Sequence, residues 1–96
     1  MIHAEETQKL FHKVLNETPE EIKTRVDWSF DISTAIDNAL HRNGMTQKEL
    51  ARKLGTSDAA VSRWLGGNHN FTLATLAKIS TVLGISLISV TKSLDV

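Results

Sequence analysis

The sequence predicts a mainly all-α chain, about five helices followed by a short C-terminal strand. Three observations predict it. Apolar residues recur at three- and four-residue spacing through most of the chain. Cap signals at Thr18-Pro19-Glu20-Glu21, Thr46-Gln47-Lys48-Glu49, Ser57 and Thr72 punctuate that pattern, and Gly44, Gly55 and Gly84 close its segments. Only Ile85 to Thr91 departs from it, being short and rich in β-branched residues.

In order along the chain, Leu10, Phe11, Val14 and Leu15 form one stripe and predict an amphipathic helix over residues 4–16. Thr18 then offers a cap, Pro19 suits a first helical position and Glu21 completes a capping box. Ile22 and Val26 continue the pattern, and Ile32, Ala35, Ile36, Ala39 and Leu40 form a second stripe up to Asn43-Gly44. Residues 19–42 are readable as one helix or as two broken near Trp28–Asp31, where Ser29 and Asp31 are both cap residues. Leu50, Ala51 and Leu54 give a short helix stopped by Gly55, and Ala60, Val61, Trp64 and Leu65 the buried face of the next. Gly66 to Asn70 is a loop. After it, Leu73, Leu76, Ala77, Val82 and Leu83 are the expected inner face of a further helix. The pattern divides the chain into a helical extension (1–27), a central domain (28–84) and a tail (85–96) suited to dimerisation.

Ninety-six residues make one small domain with a modest core, which oligomerisation would supplement. With no cysteine, neither disulfides nor thiolate metal sites are available. The polar N-terminus and the lack of a long apolar run point to a cytoplasmic protein with no membrane partner. The zero net charge hides a division. Residues 1–41 hold four basic against eight acidic side chains, and residues 42–78 hold six against two. A basic centre of this kind suits a polyanion.

That centre has the arrangement of two short helices joined by a tight turn. Ala51 is small enough for the second helix to cross close over it, and Gly55 tolerates positive φ at the turn. Val61 and Trp64 lock the second helix inward, leaving its far face free for a major groove. The segment MTQKELARKLGTSDAAVSRWL, residues 45–65, resembles the Xre or phage-repressor-type helix-turn-helix family, and GGNHNFTLATLAKISTVLGISL continues the match. The resemblance covers about residues 30–85 and implies a sequence-specific DNA-binding transcriptional regulator acting as a repressor.

Helical phase assigns the reading face. At about 100° per residue, Ala59, Ser62 and Arg63 lie opposite the buried set, with Asp58 on their flank. These, with Ser57, are the expected base-reading residues. Arg63 is the leading one, since guanidinium pairs with guanine O6 and N7; a phosphate contact is the alternative. Ala59 suits a thymine methyl, while Ser57 and Ser62 suit bases or phosphates. Asp58 either accepts from cytosine N4 or stabilises the helix N-terminus, and it departs from the uncharged polar residue usual in the family. For phosphates the expected set is Thr46, Gln47, Lys48, Arg52, Lys53, Asn68, His69 and Asn70. Gln47 enters it through the resemblance, which implies a glutamine gripping a phosphate at this position.

Other chemistry finds little footing. His3, His12, His41 and His69 are scattered, and the chain has no phosphate-binding glycine loop or nucleophile elbow, so no catalytic, metal or cofactor site is expected. The segment SRWLGGNHNFTL, Ser62 to Leu73, is also similar to HigA-type antitoxins. That likeness implies a cognate toxin partner and autorepression of the operon. The expected partners are therefore double-stranded DNA with a palindromic operator, a second copy of the chain, and a toxin.

Overall fold

The computed structural model describes residues 19–91. Four helices follow in order: α1 (Glu20–Arg42), α2 (Gln47–Leu54), α3 (Asp58–Leu65) and α4 (Leu73–Leu83). The helix expected over residues 4–16 and the Thr18 cap lie outside the described residues.

α1 is one helix of 23 residues with no break at Trp28–Asp31. Ser29 and Asp31 therefore cap nothing, and Ser29 is buried in mid-helix. The stripe itself explains the continuity. Ile22, Val26, Ser29, Ser33, Ile36 and Leu40 fall within one arc of about 80° at 100° per residue, so the two halves are in phase. Pro19 sits at the N-cap, one position earlier than expected, where its carbonyl accepts from the Ile22 and Lys23 amides. At the other end Gly44 takes φ 60°, and the Met45 amide donates back to Leu40. This is the paired closure of a left-handed cap.

The next three helices open alike. Thr46 accepts from the Glu49 amide, Ser57 from Ala60 and Thr72 from Thr75, each at 3.1 Å. Each bond satisfies an amide with no partner inside its helix and contributes about 1 kcal/mol. α2 closes at Gly55, whose φ of 67° is left-handed, and a β-carbon there would meet nothing within 4 Å. The glycine is needed for its backbone conformation rather than for space.

Ile36, Leu50, Val61 and Ile79 are the largest fully buried side chains, and each comes from a different helix. Around them Ala39, Leu40, Ala51, Ala60, Trp64 and Leu83 complete one cluster. α3 packs on both α1 and α2, and α4 closes the opposite side against the same two helices.

Two expectations need correction. The inner face of α4 is Leu76, Ile79 and Leu83, with Val82 half-buried, whereas Leu73 is 71% exposed and Ala77 is also exposed. α4 is apolar on several sides, and the face that meets α1 and α2 is the one centred on Ile79. The second correction concerns residues 85–91, which form no strand. Ile85 and Leu87 are half-buried against the core, while Ile88 and Val90 face outward. β-branched composition favours a strand only where another strand supplies ladder bonds, and none is present among the described residues. These residues also contain no helix long and apolar enough to cross a membrane.

Candidate nucleic-acid interface

α3 packs against α1 and α2. Ala60, Val61 and Trp64 face the core and Leu65 is half-buried, while Ser57, Asp58, Ala59, Ser62 and Arg63 are all exposed. The five expected base-reading positions thus share the outer surface of α3 and its cap. Ala51 is 2% exposed directly in the α2–α3 packing, where the bulk of a larger side chain would push α3 outward.

Two supports of α3 come from α1. The buried Ser33 hydroxyl donates to the Trp64 carbonyl near the C-terminal end of α3, sharing its hydrogen with the Ser29 carbonyl in its own helix at 3.0 Å. A carbonyl in the last turn of a helix has no partner inside the helix, so Ser33 fills that gap from 31 residues away. The second support is Gly67, buried with φ 91° just past α3. The left-handed backbone favours glycine there, and a β-carbon would come 3.1 Å from the Phe30 ring of α1, which would have to shift by a few tenths of an ångström. Nothing local in the sequence marks Ser33, Phe30 and Gly67 for these roles beyond one signal. That signal is the helical phase of Ser33, which is that of Ile36 and Leu40.

Of the residues expected to contact phosphates, Thr46, Lys48 and Arg52 line one shallow depression that also reaches Asp58 at the start of α3. Gln47 and Lys53 are exposed on the same short helix. In the loop after α3, Asn68 is exposed and His69 is half-buried, its ring edge-on to Phe71 with centroids 4.8 Å apart. Asn70 lines a different, apolar groove with Trp28 and Leu73. The structure thus groups Thr46, Lys48 and Arg52 and separates Asn70 from them.

The depression is mixed in charge, since Glu49 and Asp58 line it beside Lys48 and Arg52. Among the described residues the only ion pairs are Lys23–Glu20 and His41–Asp37, so Lys48, Arg52, Lys53 and Arg63 have no carboxylate within 4 Å there. The Thr46 and Ser57 hydroxyl oxygens accept helix amides, which leaves each O–H free to donate to a phosphate or base. Asp58 lies in the first turn of α3, where its charge opposes the positive helix end.

Comparison with known proteins agrees with this geometry. A family model described as helix-turn-helix matches residues 39–89, just over half of the chain. The antitoxin HipB of Escherichia coli K12 is 36% identical over 56 residues, covering 58% of this chain and 64% of that protein. The match thus spans less than two thirds of that relative's length. No solved structure matches.

Proposed function

This chain belongs to the helix-turn-helix family of DNA-binding regulators, and from that premise we propose that α3 enters the major groove and that the protein represses transcription at its operator. One observation carries the reading. The inner side of α3 is fixed by Ala60, Val61 and Trp64, while its outer side presents Asp58, Ala59, Ser62 and Arg63 without internal partners for the Arg63 guanidinium among the described residues. Arg63 reads a guanine, Ala59 permits close approach, and Ser57 and Ser62 donate to neighbouring acceptors. Gln47, Thr46, Lys48, Arg52 and Lys53 grip one stretch of backbone, with Asn68 and His69 on another. The helix-turn-helix family and the antitoxin relative both point to a binding protein rather than an enzyme.

Selection of bound DNA from a random pool, followed by affinity measurement over a salt series, tests this reading. Log affinity is expected to fall linearly with log salt, and Lys53→Ala to weaken all sequences alike while reducing the slope by about one. Gln47→Ala is expected to weaken all sequences alike with no change in slope. An affinity indifferent to salt would rule out the polyanion interface.

Two copies acting on a palindrome follow from the small footprint of one module. A two-fold pair would set its α3 helices about 34 Å apart, one turn of duplex. The tail supports this reading, since among the described residues no main-chain group of residues 87–91 pairs with another main-chain group. The similarity to HipB favours a second, compatible role as an antitoxin that captures a cognate toxin. Sedimentation of protein purified from its own cells addresses both. A two-copy mass that falls to one copy on truncation after Gly84 is expected, with a toxin adding its own mass. A dimer that survives truncation with its operator affinity intact would remove the tail from the interface.

A further inference from the structure

A groove of about 520 Å³ runs along the side of the domain. Its walls are largely apolar: Trp28 and Ile32 from α1, Leu73 and Leu76 from α4, and Ile88 and Val90 from the tail. Trp28 is 66% exposed and Val90 75%. The α1 stripe also outruns the core, since Ile22 is 40% exposed and Val26 only half-buried. This surface shares no residue with the α3 reading face, and the two-copy arrangement proposed above uses the main-chain edge of the tail rather than the Ile88 and Val90 side chains, so neither explains the groove.

We propose that the groove is the docking site of the chain's own N-terminal segment, with Leu10, Phe11, Val14 and Leu15 as the inserted side chains. The tether makes the match. That segment joins the domain at Pro19, and the groove wall on α1 begins at Arg25, about 9 Å further along a helix rising 1.5 Å per residue. Folded back as a helix after Asn16–Thr18, the segment sets Leu15 opposite Ile22. From residue 18 back to Phe11 is about 11 Å, and from Pro19 forward to Trp28 about 14 Å, so Phe11 arrives at the groove. Two antiparallel helices joined by a short link are the ordinary helical hairpin. The four apolar side chains match the apolar walls in character, and their spacing puts them on one face.

Magnitude decides between this occupant and a second copy. A tether of a few residues gives an effective concentration of about 1 mM. A second copy at micromolar concentration would have to bind about a thousandfold tighter to displace the tethered segment.

The absence of cysteine in the chain permits a clean test. The full chain carrying Phe11→Cys with Trp28→Cys, and separately Phe11→Cys with Val90→Cys, is treated at low micromolar concentration with a short bis-maleimide. The expected result is an intrachain link at monomer mass in both variants, at least tenfold over dimer-mass product and lost in denaturant. Predominant dimer-mass product would overturn the proposal in favour of a second copy, and no specific link in either variant would overturn it outright. Operator binding by the unsubstituted chain is scored separately. Its failure beside an intact intrachain link would count against the DNA-binding role and leave this docking site standing.

Discussion

Leu50→Ala is expected to destabilise the domain by about 2–5 kcal/mol, a large share of the roughly 5–15 kcal/mol that holds a domain of this size together. Leu50 is completely buried, and its helix packs on both α3 and α4. Its three lost carbons leave a cavity that neighbours fixed on three other helices fill only in part. For a domain of 60–100 residues each kcal/mol lowers Tm by about 4–8 °C, so the melting transition should fall by roughly 8–40 °C. Leu73→Ala serves as the control. It has the same chemistry at a position outside the core, 71% exposed on the domain, and is expected to cost no more than about 1 kcal/mol even with the N-terminal segment seated against it. Equal effects at the two positions would mean that α4 packs through a different face from the one observed.

That contrast also marks where the sequence was readable. Thr46, Ser57 and Thr72 could be assigned as caps because a cap acts over three residues, and Gly44, Gly55 and Gly84 as terminators because left-handed backbone is a local demand. The outer and inner faces of α3 were legible for the same reason: eight residues with polar and apolar side chains on opposite sides leave one way to pack. α4 was harder. Leucine, alanine, isoleucine and valine surround it, so periodicity alone could not choose Ile79 over Leu73 and Ala77.

The continuity of α1 was hidden because the two positions carrying its stripe across the middle are serines, Ser29 and Ser33. Their burial depends on Trp64, far away in sequence, and no local pattern reports a bond between such distant residues. The tail misled through propensity, since a β-prone segment becomes a strand only when a second strand accepts its ladder. Of the candidate site, the sequence foresaw that Ser57, Asp58, Ala59, Ser62 and Arg63 share the exposed side of α3 and its cap. It did not show that Asn70 also lines an apolar groove, because that depends on how the loop folds toward α1.

If α3 reads sequence, Arg63 is the residue that shows it most directly. Its side chain stands on the outer surface of a helix whose inner side cannot rotate without unpacking Val61 and Trp64. The helix therefore sets where the guanidinium goes, and a bidentate pair with guanine discriminates by about 1–3 kcal/mol. A phosphate contact from the same position would instead strengthen every sequence alike. The decisive measurement is the affinity of Arg63→Ala for the selected operator and for random duplex at one salt concentration. The predicted result is a roughly five- to 150-fold loss on the operator, little change on random DNA, and relaxed preference at one guanine. A loss of the same size on both duplexes would contradict base reading by Arg63.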